Sequence, residues 1–497
     1  MDIAKILDAL ILKRVEGDLN GSVTGLAYHT EQVEPGNLYF ALPGTKAYGW
    51  EYVSKALDKG ALAAVVPEEA PLLRAPCVRV PEVRLALAII SDLYFQHPSG
   101  KLRLMGVTGT NGKTTTTHLI NALLTKNNYK TGLLGTISYQ VGEENFSVKA
   151  TTPEANDLQE MLQYMTLKEV SHAVLEVSSH ALTWHRVSGC DFDVAVLTNV
   201  TSDHLDFHGD FSSYLSAKSS LFSRMGGEFL SQGKPRVAVI NKDDPSATFI
   251  ANASPGQVVF YGQDANCDVR ATDLVVDREK TRFKVETFSG EIQLNLDLRG
   301  TFNVYNALAA VTVGLIEGID LASIKEALEN VKGIPGRFER VDAGQKFTVV
   351  VDYAHTYDSL ENVLQTARQL LKGGKLITVF GCGGDRDRTK RPLMGEIAGK
   401  YSDYCVVTSD NPRSESPSAI IDDVIPGVKK EKDVFEYSAV EDRRKAIQKA
   451  VNLAQGEDLI VIAGKGHEEY QIFRDRTMPF SDREVAREAI ANKLNEN

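Results

Sequence analysis

The sequence predicts an α/β protein of three domains. Its centre is a P-loop domain with a doubly wound, mostly parallel sheet, followed by a C-terminal Rossmann-like α/β domain. Three observations predict this. At 497 residues the chain is too long for one core. Strand-like and helix-like runs alternate between residues 99 and 333. Beyond 334, a second set of apolar runs each ends in a polar loop.

Residues 1–98 open with MDIAKILDALILKR, where acids interrupt a short apolar run and no small-residue cleavage site follows. That reads as an amphipathic helix rather than a signal peptide. Short strands follow at NLYFAL, AAVVP and CVRVP, and FQHPSGK (95–101) reads as a linker. In residues 99–333, strands are expected at RLMGVT, TGLLGTI, HAVLEVSS, DVAVLTNV, RVAVIN and QVVFYG, with helices at TTTHLINALLTK and EANDLQEMLQYM. Residues 268–300 alternate differently and suggest a small antiparallel meander. GIPGRFER (333–340) marks the boundary to residues 334–497. There VVVDYAH, KLITVFGCGG, YCVVTSDNPR and DLIVIAGKGHE are strand-to-loop transitions, and in such sheets ligands bind at the carboxyl ends of strands.

Composition excludes several classes. A net charge of −11 argues against a nucleic-acid binder, so an anionic ligand must be met by locally placed cations. The five cysteines are far apart with no CxxC, which supports neither a disulfide framework nor a zinc site. No apolar run approaches a membrane span, and the cytoplasm is the expected location.

MGVTGTNGKTTTTHLI (105–120) is the strongest local signal. A strand enters a loop of Gly109, Thr110, Asn111 and Gly112, and Lys113, Thr114 and Thr115 open a helix. Backbone N–H groups and the helix N-terminus suit phosphate oxygens, Lys113 adds a charge, and the Thr114 hydroxyl can bind Mg²⁺. The usual pattern has glycine where Val107 stands. The loop implies an ATP- or GTP-dependent protein and leaves kinase, switch protein and ligase open.

Further motifs narrow this. LEVSSH places Glu176 at a strand end, TNVTSDHLDFHG places His204 after another, and YLSAKSSLF puts Lys218 on a helix. Together with GTFNVYNALAA, GIPGRFE and VDYAHT, in this order, they resemble the Mur ligase family, whose members build the peptide stem of peptidoglycan. The resemblance covers essentially the whole chain. It implies ATP as co-substrate and two Mg²⁺ ions held by Thr114, Glu176, His204 and Lys218, the last as a CO₂-derived carbamate. It also implies Asn303 and Asn306 beside adenine, Arg337 and His355 near the phosphates, and Asp352 at the ribose. Lys113, Lys218, His204 and Arg337 are the expected catalytic residues. Tyr357 replaces the family's usual proline after DYAHT.

The same resemblance implies that UDP-N-acetylmuramoyl-dipeptide meets Thr30, Thr45, Lys46 and Ala47 in the first domain, and Thr151, Thr152, Ser178 and Arg186 in the central one. His29 and Glu31 depart from the usual turn, and Trp184 stands where some relatives carry glutamine. Members that add meso-diaminopimelate read D-N-P-R, as Asp410, Asn411, Pro412 and Arg413 do here, with Arg386, Gly464 and Glu468 as remaining contacts. A guanidinium would pair with the far carboxylate of that amino acid and an acid with its ammonium. The expectation is thus an ATP-dependent ligase, acting as a monomer on small molecules, that joins meso-diaminopimelate to the D-glutamyl γ-carboxylate. The L-lysine-adding ligase and folylpolyglutamate synthase are rivals within the class, and a P-loop regulatory protein is the rival outside it.

Overall fold

Strands buried on both faces carry the chain's long apolar runs. The computed structural model describes every residue except 45–46, 227–229, 232, 278, 432–436 and 497, so the expected contacts Thr45 and Lys46 lie outside the described residues. Its largest sheet has eleven strands. Six parallel strands form the middle, in the order Gln257–Gly262, Val237–Asn241, Val194–Leu197, Arg103–Thr108, His172–Glu176 and Thr131–Leu134. Met105 and Val107 point into a core on one face, and Leu104 into a core on the other. This is why RLMGVT reads as one continuous apolar run. Val107 is therefore an interior strand residue, and the backbone first turns at Gly109.

The expected meander at 268–300 is present as strands Val269–Val276, Thr281–Thr287 and Gly290–Leu296, paired antiparallel. It extends the same sheet, because Val269–Val276 pairs in parallel with Gln257–Gly262. The first residues form a five-residue helix, Ile3–Leu7, capped by the Asp2 carboxylate, with Ile3, Ile6 and Leu7 buried.

A five-stranded sheet spans residues 14–80, and Ala155 of the central region is buried within its core cluster. A six-stranded sheet holds Thr348–Asp352, Leu459–Ala463, Leu376–Phe380 and Tyr404–Val407 in parallel. The helix Tyr357–Leu370 begins with a reciprocal cap between Thr356 and Ser359. That cap secures the helix entry without the family's proline.

In the large sheet, Arg103–Thr108 lies between His172–Glu176 and Val194–Leu197. Glu176 is level with Val107, and Leu197 with Thr108. Two neighbouring strands thus deliver Glu176 and the 198–204 loop to the phosphate loop, where a doubly wound sheet opens its crevice. Among the described residues, no helix is long and apolar enough to cross a membrane.

Candidate functional site

The phosphate loop is shaped by residues that tolerate no larger neighbour. Gly112 has φ +88°, and a Cβ there would collide with the Asn306 carboxamide. Helix Lys113–Lys126 starts at the next residue. The Thr114 hydroxyl donates to Glu176 Oε2 at 3.0 Å, and Arg337 Nη2 donates to Thr114 Oγ at 2.8 Å. Glu176 is 1% exposed and also accepts from the Thr136 backbone and hydroxyl. Hard oxygen donors therefore converge at the start of the helix, a donor set that suits Mg²⁺. Among the described residues no group of three His, Cys, Asp or Glu gathers.

Lys113 Nζ and Lys218 Nζ both donate to the Gly109 carbonyl, at 2.9 and 2.7 Å. Burial, reinforced by Lys113, holds the Lys218 amine well below the usual ammonium range. Thr110 bonds Tyr214, and Asn306 accepts from Thr116 and donates to Asn303. Thr115 is buried in the first helical turn. His204 has φ 54° and faces Asp203 at 3.3 Å.

Thr110, Gly112, Lys113, Thr114, Glu176, His204, Asn306 and Arg337 line one cleft of about 910 Å³ that also reaches Thr151, Thr152, Ser178 and Arg186, whereas Lys218, Asn303 and Tyr214 are buried outside its lining. Thr152 links the Glu176 carbonyl to the Ser178 backbone N–H, and Arg186 donates to the Thr152 carbonyl at 3.0 Å. The third domain closes the cleft: Asp358 accepts from Asn111 at 2.6 Å and from Thr201 at 3.0 Å. Asp352 lines it too, yet each of its oxygens accepts a backbone N–H, from Phe338 and from Ala354. The carboxylate thus first serves to shape the strand end. Thr30 lies on the short helix Thr30–Gln32 of the first domain, and Ala47 closes a turn with Gly44.

A second cavity of about 430 Å³ is lined by Arg386, Asp410, Asn411, Arg413, Gly464 and Glu468 on one side, with Asp203 and His204 on the other. Both cavities share Asp203, His204, Tyr353 and His355 as walls. His355 is half-buried; desolvation, followed by the nearby Lys390 ammonium, pushes its imidazole down to about 4, and its Nδ1 donates to the Tyr353 carbonyl.

In this second cavity Asp410 Oδ1 accepts the Asn411 N–H, while Oδ2 is buried with no partner among the described residues. Gly464, at φ +117°, leaves that oxygen clear, since a Cβ would stand 2.6 Å from it. Arg413 follows Pro412 with φ 52° and anchors its guanidinium on the Gly384 carbonyl at 2.9 Å. Lys465, fully buried, donates to Glu468 Oε2 at 2.8 Å and to Asn411 Oδ1 at 3.1 Å. Asp410 and Arg413 thus line the same cavity, and Lys465 partly neutralises Glu468.

Sequence reasoning missed Asp203, Lys465, Tyr353 and Asp358, of which Asp203 and Lys465 lie inside TSDHLDFHG and AGKGHE.

A profile of the Mur ligase middle domain matches residues 107–314, and one of the Mur ligase glutamate ligase domain matches residues 336–466. A Syntrophomonas wolfei protein named UDP-N-acetylmuramoyl-L-alanyl-D-glutamate–2,6-diaminopimelate ligase is 45% identical over 99% of this chain and 100% of its own. A Bacillus cereus protein of the same name is 43% identical over 96% of both. A solved structure of a ligase of that name superposes with a TM-score of 0.68 at 32% identity, covering 98% of this chain and 99% of that one.

Proposed function

The chain belongs to the Mur ligase family, and from that premise we propose that it joins meso-diaminopimelate to UDP-N-acetylmuramoyl-L-alanyl-D-glutamate with hydrolysis of ATP to ADP and phosphate. One observation carries the choice of amino acid: the buried, unpaired Asp410 Oδ2 shares a cavity with the Arg413 and Arg386 guanidiniums. An ammonium and a carboxylate on one carbon need both signs of charge in one cavity.

In this reading the γ-carboxylate of the D-glutamyl residue attacks the γ-phosphorus of ATP, and ADP leaves. The amine of diaminopimelate then adds to the acyl phosphate carbon. Loss of phosphate and of one amine proton leaves the amide. Lys113 turns from its own loop carbonyls to the phosphates. The Arg337 guanidinium, whose Nε is buried without an acceptor among the described residues, stabilises the charge on the transferring group. Thr114, Glu176, His204 and the Lys218 carbamate are the groups that would hold Mg²⁺, which when bound offsets the negative charge of phosphate and carboxylate. A buried, neutral Lys218 amine is the form that adds CO₂. The shared wall of Asp203, His204, Tyr353 and His355 is where the amine would meet the activated acyl group, away from bulk water.

The test is mass spectrometry of the product formed from the UDP-muramoyl-dipeptide, ATP and meso-diaminopimelate. The expected product is the amide, with one ADP and one phosphate formed for each. ATP turnover that needs no amino acid would overturn the proposal.

A further inference from the structure

Arg84 opens the helix Val83–Tyr94 of the first domain, yet its side chain ends in the central domain. Nη1 donates to Glu154 Oε2 at 2.9 Å, and Nη2 reaches the Pro43 carbonyl at 3.3 Å. The other oxygen of Glu154 lies 3.3 Å from Arg186 Nε. Both guanidiniums pack on one indole: Arg84 lies 4.8 Å and Arg186 5.0 Å from the Trp184 ring centroid. The side chains of Arg84 and Glu154 are 13% and 11% exposed. This is a desolvated corner, where shared charges hold each other firmly. Arg186 and Trp184 line the large cleft, but Arg84 does not.

The consequence is a division of Glu154 between two arginines. With Arg84 in place, Glu154 is shared between two guanidiniums, and Arg186 keeps Nη1 on the Thr152 carbonyl in the wall of the cleft. Without Arg84, Glu154 can take Arg186 in a two-pronged pair and draw it out of the cleft. A second tie crosses the same boundary, from the Tyr28 hydroxyl to Asp157 Oδ2 at 2.6 Å.

We propose that Arg84 is a positioning residue for the nucleotide-sugar dipeptide, holding Glu154 and Trp184 so that Arg186 faces the muramoyl-peptide end. The inference rests on the function proposed above. It makes the first domain part of the peptide site as well as of the nucleotide site.

The test compares wild type, Arg84→Ala, Glu154→Gln and the double variant. Arg84→Ala should raise the KM for the UDP-muramoyl-dipeptide by about tenfold, the loss of one charge-assisted contact. The KM values for ATP and diaminopimelate, and kcat, should stay within about twofold. Binding of UDP alone, measured by calorimetry, should not change. The double variant should be no worse than the poorer single one, since both act through Arg186. Arg84→Lys, which cannot serve Glu154 and Pro43 together, should rescue only in part. Equal losses in UDP and dipeptide affinity would reduce Arg84 to a strut between domains, and an unchanged dipeptide KM would remove its role; either overturns the inference. If wild type itself fails to couple the two substrates, the function proposed above falls and this inference with it, an outcome distinct from both.

Discussion

Arg413→Ala tests the two-signed corner directly. The Arg413 guanidinium is held by the Gly384 carbonyl at 2.9 Å and, more loosely, by the Asn411 carbonyl at 3.4 Å, so it is aimed before the substrate arrives. Its left-handed backbone, φ 52°, strains arginine and alanine alike, because both carry a Cβ. The substitution therefore removes mainly the guanidinium. A charge-assisted pair with the far carboxylate of diaminopimelate contributes about 2–3 kcal/mol, or roughly 30- to 150-fold in kcat/KM. The lower end is expected, since Arg386 stands in the same cavity; burial and then the nearby Arg413 lower its pKa, and it can take over part of the pairing. L-lysine has no far carboxylate, so its turnover should change by less than about threefold, or improve as a half-buried guanidinium with no carboxylate to meet is removed. Steady-state kinetics with the two amino acids side by side read this ratio. Equal losses for both would mean that the loop had merely collapsed, and the assignment of the corner would be refuted.

Asp410→Asn should lower kcat/KM about tenfold for diaminopimelate and L-lysine alike, because both tails carry an ammonium and the unpaired Oδ2 is the group that faces it; a loss confined to one amino acid contradicts this. Asp358→Ala removes the third domain's hold on Asn111 and Thr201, so small-angle scattering without ligand should show a larger radius of gyration than wild type. An unchanged radius would show that Arg337–Thr114 closes the cleft alone. Glu317 lies at the opposite end of the sheet's strands: burial pushes its carboxyl up, but His172, Arg103 and Lys234 together hold it down at about 2. Its folded value is depressed, so its contribution is present above about 4.5 and is lost as pH falls toward 2, amounting to about 3 kcal/mol at neutrality. Urea melts of Glu317→Gln should therefore show a large deficit at pH 7 that narrows at pH 3, and a pH-independent deficit would contradict the linkage.

What could be read from the sequence was whatever one strand end could carry. TGTNGKTT, EVSSH and TSDHLDFHG each place their reactive residues within a few positions of an apolar run, and a parallel sheet lines up those run ends by register: Glu176 with Val107, and Leu197 with Thr108. Adjacent strands therefore assemble the phosphate site without any further instruction. Val107 looked like a departure from the loop pattern only because the strand continues through it. Contacts between domains left no such trace. Arg337 and Thr114 are 223 residues apart, Asn111 and Asp358 are 247 apart, and Arg84 and Glu154 are 70 apart; none of these pairs has a spacing that either motif predicts. DNPR lies between these cases. Its charges are contiguous, but their meaning depends on Gly464, far along the chain, which bares Asp410 Oδ2, and on Lys465, which occupies the competing Glu468. A larger residue at 464 would cover the Asp410 oxygen that has no partner among the described residues, so the preference for an ammonium proposed for this corner rests on a missing side chain as much as on the charges themselves.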